Sequence, residues 1–154
     1  GRHLIYHSEP FAEETEICGF FRLSVWLAID QPDTDFRVSV HEIGLDGGSV
    51  LLTTDSMRAR YRESMREAKL IATTQPLHYE FTRFMFTARR VRRGSRLRLV
   101  IGPSDSIFSQ KNYNSGGAVA AESISDARRV TVRLFHDESH PSALYVPFGR
   151  VDDV

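Results

Sequence analysis

The sequence predicts an all-β protein, an antiparallel β-sandwich of about eight strands. Segments with apolar residues at every second position recur along the chain, and this spacing places one face of a strand in a core. Clusters of turn residues separate these segments at short intervals. No helical apolar repeat alternates with them, so a parallel β-α-β arrangement is not expected.

The first two predicted strands cover residues 4–6 and 17–29. The second segment is apolar on both faces, as expected for an inner strand of a sandwich, and Gly19 marks a bulge or bend within it. We expect Trp26 to lie in the core because it stands inside this apolar run. Cys18, the single cysteine, is expected to be a small buried side chain.

The middle of the chain continues the strand pattern. Residues 36–43 alternate in polarity, the Asp-Gly pair at 46–47 predicts a tight hairpin turn, and residues 50–52 open the next strand. Arginines alternate with other residues over 58–62, which favours a strand. Residues 63–69 have the composition of a helical turn.

The clearest strand prediction lies at residues 97–101. A turn at residues 94–95 precedes it, and the Gly-Pro pair at 102–103 ends it, because proline has no N–H for a strand ladder. The long strand region before it, residues 77–91, requires a change of register near residues 82–83.

A polar loop, Lys-Asn-Tyr-Asn-Ser-Gly-Gly over residues 111–117, follows this strand. It consists of turn chemistry, because Asn and Gly tolerate positive φ and Asn side chains bond to nearby backbone. Residues 118–128 are expected to hold a short helix or to cover a sheet edge. The last predicted strands are residues 130–135 and 144–148, with a loop between them.

Composition restricts the function. The length of 154 residues predicts one domain, and 20 basic side chains balance 20 acidic ones, so neither nucleic acid nor an anionic membrane is an expected partner. No apolar run reaches the length of a membrane span, and no signal-peptide pattern is present. With one cysteine, the cytoplasm is the expected location, although no feature identifies the compartment. The chain begins with Gly1 rather than Met, which predicts a piece cut from a longer protein.

No pattern predicts a catalytic centre or a metal site. Ser104, Asp137 and His140 have the chain order of a hydrolase triad, but this order arises by chance in most chains and Ser104 lacks the glycine pattern of a nucleophile elbow. His136 and His140 have the spacing of metal ligands on a helix, whereas Pro141 favours a solvated loop. We therefore predict no catalytic residue, no metal ligand and no cofactor.

Two groups of charged residues allow both a structural and a functional interpretation. Four turn aspartates have the chemistry of calcium ligands, but aspartates that bond to local backbone are commoner; they are Asp30, Asp33, Asp35 and Asp46. A dense arginine run brackets a turn, so we expect a solvated face or pairing with a neighbouring surface; its members are Arg89, Arg90, Arg92, Arg93, Arg96 and Arg98.

Short motifs also occur in a fixed order. They are L-x-Y-x-S-x-P (residues 4–10), I-C-G (17–19), D-T-D (33–35), D-G (46–47), R-A-R-Y-R-x-S (58–64), G-x-R-L-R-L-x-I (94–101) and K-N-Y-N-S-G (111–116). In this order they resemble the C-terminal non-catalytic domain of the X-Pro dipeptidyl-peptidase and cocaine-esterase (CocE/NonD) group of serine hydrolases. The chain departs from the family at Ser95, where the family often has histidine. It also departs at Pro141, which stands between His140 and Ser142 in a stretch that otherwise resembles the family's closing motif, H-x-x-S-x-L-x-x-P.

The resemblance implies a jelly roll of the galactose-binding type, formed as one domain by residues 1–154. The family's catalytic triad lies in a preceding α/β-hydrolase domain, so no catalytic residue carries over to this chain. The resemblance further implies packing against the hydrolase and cap domains of the same parent chain, and a role in dimerisation. We expect the contacts where arginine or asparagine donors accompany an aromatic ring, at Arg58, Arg60, Tyr61, Arg62, Lys111, Asn112, Tyr113 and Asn114.

The leading hypothesis is a supporting domain of a hydrolase that acts on acyl esters, amides or X-Pro peptides. The alternative is an independent carbohydrate-binding module, in which an exposed aromatic such as Tyr113 stacks on a sugar ring. A complete enzyme is the least favoured of the three. The substrate of the parent enzyme is not predicted, because specificity would reside mainly in other domains.

Overall fold

A computed structural model describes residues 3–104 and 106–149. The strands within these ranges are antiparallel, which confirms the all-β prediction. They are β1 (Leu4–His7), β2 (Thr15–Gly19), β3 (Arg22–Ile29), β4 (Asp35–Ile43), β5 (Ser49–Arg58), β6 (Leu77–Phe81), β7 (Thr87–Val91), β8 (Arg96–Gly102), β9 (Val132–Phe135) and β10 (Ala143–Tyr145). Short 3₁₀ helices cover Ala59–Tyr61, Val119–Ala121 and Ile124–Asp126.

The described strands form two four-stranded sheets and one ribbon. The first sheet has the order β1-β8-β4-β5. In the second sheet, β3 pairs with β6 on one side and with both β9 and β10 on the other. The ribbon consists of β2 and β7. This arrangement is consistent with the predicted sandwich.

One apolar core joins the two larger sheets. The alternating residues of β4 and β8 supply buried side chains from the first sheet, as the sequence predicted. Those of β3 and β6 supply buried side chains from the second. Phe36 of β4 and Tyr79 of β6 meet edge to face across this core, with ring centroids 5.4 Å apart. Burying apolar surface contributes about 25 cal/mol of stabilising free energy per Å², so this cluster is the main source of stability.

Two predicted long strands are each two strands in the structure. Residues 17–29 divide into β2 and β3 at Gly19, where the ribbon strand β2 ends. Gly19 has a φ of +139°, a conformation that favours glycine, and Pro147 lies close enough to exclude a side chain at this position. Residues 77–91 divide into β6 and β7 around an unpaired segment, 82–86, where the sequence required a change of register. Both segments change pairing partner at these breaks, because β2 pairs with β7 whereas β3 pairs with β6. The alternation of polar and apolar residues cannot reveal this change of partner, because each of the two strands in a segment keeps the same alternation.

The segment after β5 also differs from its prediction. The strand ends at Arg58, and Ala59–Tyr61 form a 3₁₀ turn in which the backbone N–H of Arg62 donates to the carbonyl of Ala59. Residues 63–69 form bends rather than a helical turn. The short helix expected within 118–128 is represented by two 3₁₀ turns.

Three further expectations need correction. Cys18 and Trp26 are half-buried rather than core residues, because they lie on the outer faces of β2 and β3, opposite the buried Ile17 and Val25. The last predicted strand ends at Tyr145, beyond which Phe148 makes only an isolated bridge to Ile17.

Among the described residues, no helix has the length and apolar character needed to cross a membrane.

Candidate functional site

The two segments predicted to contact other domains meet each other around Asp33. This carboxylate has no exposed surface. It accepts hydrogen bonds from the backbone N–H of Arg60 at 2.9 Å, from Arg60 Nε at 2.8 Å and from Asn112 Nδ2 at 2.7 Å. The 3₁₀ turn after β5 is thereby tied to the 111–117 loop.

Asp35 extends this contact at the start of β4. Its two oxygens accept from Arg58 Nε at 2.8 Å and Nη2 at 3.1 Å, and Asn112 Nδ2 reaches it at 2.9 Å. The hydrogen bond to Asp35 raises the pKa of the Arg58 guanidinium, although burial acts in the opposite direction. Asp33, Asp35, Arg58, Arg60 and Asn112 are here named the carboxylate–arginine cluster.

The 111–117 loop is shaped by its own side chains. Asn114 adopts a left-handed φ of 67°, and its side-chain Nδ2 donates to the carbonyl of Arg128 at 2.8 Å. Glu122 accepts from the backbone N–H of Tyr113 at 3.1 Å and from the hydroxyl of Ser115. The Ser115 hydrogen bond lowers the pKa of the Glu122 carboxyl below its usual value. The turn chemistry predicted from the sequence is therefore present.

The predicted contact residues direct much of their hydrogen-bonding capacity into the domain. The side chain of Arg62 is 7% exposed, and it donates to Glu63 at 2.5 Å. Tyr61 and Tyr113 are half-buried, and Lys111 lies 5.6 Å from the centroid of the Tyr113 ring. The cluster therefore holds the loop in place, and its contact with another domain remains a prediction.

The aspartates considered as calcium ligands bond to protein donors. Asp30 accepts from the backbone N–H of Thr131 at 2.8 Å, which lowers the pKa of its carboxyl. Asp46 accepts from the backbone N–H of Gly48 at 2.9 Å, in the predicted hairpin turn. Within the described ranges, no group of three or more His, Cys, Asp or Glu side chains could hold a metal ion.

The residues with the order of a hydrolase triad are not brought together as a triad. His140 Nδ1 lies 3.1 Å from Asp137 Oδ1 within one exposed turn, and the His140 ring packs against Trp26 on the outer face of the second sheet. Ser104 follows β8, which belongs to the first sheet. The Asp137–His140 contact is therefore a local feature of the loop before β10.

Neither Trp26 nor Tyr113 forms an open platform on which a sugar ring could stack. Trp26 lies between His78 and His140, with ring centroids 5.0 and 5.1 Å away. Tyr113 is half-buried rather than freely exposed. These positions do not favour the carbohydrate-binding alternative.

Two members of the arginine run, Arg89 and Arg90, form ion pairs with carboxylates of neighbouring strands, whereas Arg92, Arg93 and Arg96 are exposed. Arg89 Nη2 lies 2.6 Å from the nearly buried carboxylate of Glu42. Arg90 lies 2.8 Å from Glu16 across the ribbon. These ion pairs connect the ribbon to β4 and hold its two strands to each other.

An exposed apolar patch was missed by the sequence analysis. Phe20 and Phe86 meet edge to face with centroids 5.5 Å apart, and Met85 precedes Phe86 in the chain. Their exposed fractions are 65%, 56% and 60%. Contiguous exposed apolar side chains of this kind mark interaction surfaces. Alternation in the sequence could not distinguish them from core residues, because they lie where the chain leaves one pairing partner for another. They are here named the Phe20 patch.

Comparison with known proteins places this chain among domains of larger hydrolases. The family model of the X-Pro dipeptidyl-peptidase C-terminal non-catalytic domain matches residues 1–144. Cocaine esterase from Rhodococcus sp. (strain MB1 Bresler) is 26% identical over 145 residues, which cover 94% of this chain and 25% of that protein.

Solved structures share the fold. An aminopeptidase from the marine sediment archaeon Thaumarchaeota archaeon superposes with a TM-score of 0.88 at 18% identity, covering 97% of this chain and 26% of the aminopeptidase. An alpha-amino acid ester hydrolase gives 0.85 at 20% identity, covering 96% and 26%. A CocE/NonD family hydrolase from Staphylococcus aureus gives 0.73 at 15% identity, covering 96% and 30%. This chain thus spans about a quarter of the length of these relatives.

Proposed function

The chain belongs to the family of X-Pro dipeptidyl-peptidase C-terminal non-catalytic domains, and we propose that it supports the catalytic domain of a serine hydrolase acting on acyl esters, amides or X-Pro peptides. The observation that carries this proposal is the family match over residues 1–144. The short coverage of the relatives agrees with it, since three quarters of cocaine esterase lies outside the matched region. The proposal includes the jelly-roll strand order and the dimerisation that the family resemblance implies.

The Phe20 patch is the surface we assign to the contact with a catalytic or cap domain. Phe20 precedes β3, whereas Asp33 follows it, so the patch and the carboxylate–arginine cluster lie near opposite ends of that strand. A strand of eight residues is roughly 26 Å long. Two contacts can therefore form at separate places, an apolar one at the patch and a polar one near Tyr113 and Lys111.

The test compares this chain with the full-length product of the gene that encodes it. Both are assayed for hydrolysis of p-nitrophenyl acyl esters and of X-Pro-p-nitroanilides. We expect activity in the full-length protein and none in the isolated chain. Activity of the isolated chain would overturn the non-catalytic assignment, and a full-length protein inactive on both substrate classes would overturn the hydrolase assignment.

The patch has its own test in the full-length protein. The double variant Phe20→Ser/Phe86→Ser is expected to lower the unfolding temperature of the catalytic domain, because it weakens the apolar contact between the domains. Leu45→Ser is the matched control, since Leu45 is 79% exposed in the hairpin turn, away from the patch. Equal effects of the patch and control variants would exclude the patch as the contact. Light scattering on the same samples tests dimerisation.

A further inference from the structure

The outer face of the first sheet carries positive charge. Side chains of β4 and β8 alternate between the core and this outer face, and the outward positions hold Arg37 on β4 and both Arg96 and Arg98 on β8. His7 of β1 and His41 of β4 flank Arg98, because the register places each of them opposite it on a neighbouring strand. These five residues are here named the basic face.

The arginines of the basic face have no negative partner within the domain. Among the described residues, none of Arg37, Arg96 and Arg98 forms an ion pair with a carboxylate. Asp35 is the one acidic residue at an outward position of the four described strands, and Arg58 neutralises it through two hydrogen bonds. The positive charge of the basic face is therefore uncompensated in this domain.

The centre of the basic face shows the effect of this charge. Arg98 Nε donates to the imidazole Nε2 of His7 at 2.9 Å, so that nitrogen carries no proton. Burial and the nearby Arg98 guanidinium lower the pKa of His41, and its two ring nitrogens lie 3.0 and 3.3 Å from the hydroxyls of Ser39 and Ser49. Neutral groups thus take the place of counter-ions, and the arginines remain available to an anion.

Aliphatic side chains lie among these cationic groups. Ile5 of β1 pairs with Val100 of β8 on the same face, and Ile5 is 54% exposed. Leu51 of β5 lies opposite His41 and is 49% exposed. Arginine beside exposed apolar surface is typical of protein interfaces. The outward positions of the four described strands hold no Phe, Tyr or Trp on which a nucleic acid base could stack, so the face favours a protein partner.

The size of the basic face favours a partner within the same polypeptide. The nine residues of β4 are about 30 Å long and four strands are about 19 Å wide, so the face offers at most about 600 Å². Stable complexes of separate proteins bury about 800 Å² on each partner. A smaller contact is sufficient between covalently connected domains, since the connection supplies a high effective concentration. In cocaine esterase, three quarters of the polypeptide lies outside the matched region.

We propose that the basic face docks against a carboxylate-rich surface of another domain in the parent polypeptide. Arg37 lies opposite Gly102, six residues along β8 from Arg96, so the two guanidinium groups are spread over about 20 Å of the sheet. The partner surface carries Asp or Glu side chains over the same length, and such charge complementarity fixes the orientation of one domain on the other. The inference rests on the proposed function only in requiring a second domain, whatever reaction that domain catalyses.

The test is zero-length cross-linking of the full-length protein. Arg37→Lys and Arg96→Lys each place a primary amine on the basic face, and a water-soluble carbodiimide condenses this amine with a carboxylate in direct contact. We expect mass spectrometry to find each new lysine joined to an Asp or Glu outside residues 1–154. Arg66→Lys is the matched control, because Arg66 is equally exposed but lies in the bends at 63–69, away from the first sheet.

Charge reversal gives an independent readout. In the isolated chain, Arg96→Glu is expected to leave the midpoint of thermal unfolding unchanged or raise it, because it removes repulsion from Arg98 and breaks no hydrogen bond to a described residue. In the full-length protein the same variant is expected to lower the midpoint, since a carboxylate would then face carboxylates. Arg66→Glu is the matched control in both proteins, and equal effects of the two variants would contradict the proposal.

The other outcomes also decide. New lysines that cross-link only within residues 1–154, or not at all, would overturn the proposal. Cross-links that join ¹⁵N-labelled to unlabelled molecules would make the face a contact between two copies. Binding of heparin or of a single-stranded oligonucleotide by the isolated chain, lost in Arg96→Glu but not in Arg66→Glu, would assign the face to a polyanion instead. Cross-linking does not require activity, so a full-length protein inactive as a hydrolase would refute the proposed function and leave this result readable.

Discussion

Replacing Asp33 with alanine measures what the carboxylate–arginine cluster contributes to stability. The carboxylate is fully buried and accepts three hydrogen bonds, two of them from Arg60. The Arg60 side chain is itself only 11% exposed, so Asp33→Ala leaves a nearly buried guanidinium without its counter-ion. Removing one partner of such a pair costs about 3–5 kcal/mol. In a chain of this size, about 2–4 °C are lost per kcal/mol, so the midpoint of thermal unfolding is expected to fall by roughly 6–20 °C.

The assay is urea and thermal unfolding of this chain, followed by far-ultraviolet circular dichroism. Asp137→Ala is the matched control, because Asp137 also accepts hydrogen bonds from a side chain and from backbone N–H groups but lies in an exposed turn. The double variant Asp33→Ala/Arg60→Ala is expected to recover part of the loss, since it also removes the uncompensated charge. If Asp33→Ala costs no more than Asp137→Ala, the cluster is not a source of stability and the reasoning is refuted.

Three further predictions concern single side chains. Burial raises the pKa of Tyr79 to about 12. The contribution of this side chain to folding stability is therefore retained below the usual tyrosine value of 10.0 and lost as the pH rises toward 12. Tyr79→Phe is expected to remove this alkaline loss without lowering stability at pH 7, because no described residue bonds to the Tyr79 hydroxyl. Absorbance at 295 nm during alkaline titration checks this, and a tyrosine step near 12 that persists in the variant would contradict it. Gly19→Ala is expected to destabilise by about 1–3 kcal/mol, because φ is +139° and the added Cβ would lie 2.9 Å from Pro147; an unchanged urea midpoint would show that the ribbon accommodates it. The pKa of Glu122 is lowered in the folded protein, so its contribution to stability is present above the usual glutamate value of 4.5 and is lost as the pH falls below it. Glu122→Gln is therefore expected to flatten the acid limb of the stability profile, and a slope identical to that of the original protein would count against this.

Local patterns allowed part of the fold to be predicted directly. β4 and β8 agree with their predicted positions because alternation in polarity is a property of neighbouring residues. The Asp46-Gly47 turn also depends only on adjacent residues, and Gly47 indeed has a positive φ of 79°. The ordered motifs likewise identified the family that the whole-chain comparison shows.

The candidate site could be predicted only in part, because the contacts that join its segments link positions far apart in the sequence. The segments 58–62 and 111–114 were both singled out from composition, but the residue that joins them, Asp33, was interpreted only as a turn aspartate or calcium ligand. Asp33 and Asn112 are separated by 79 positions, and no local pattern links them. The arginines proposed for contact with another domain proved to have partners within this one.

By itself, the sequence determined the all-β class, the main turns and the family, because alternation, turn chemistry and motif order are written in adjacent residues. Only the tertiary structure decided where residues 17–29 and 77–91 change pairing partner, which apolar side chains remain exposed at Phe20 and Phe86, and that outward arginines of β4 and β8 share one face of a sheet. The physical reason is that partner choice depends on long-range contacts. A strand keeps the same alternation whichever sheet it joins, so its pattern shows that it has a buried face but not what that face contacts.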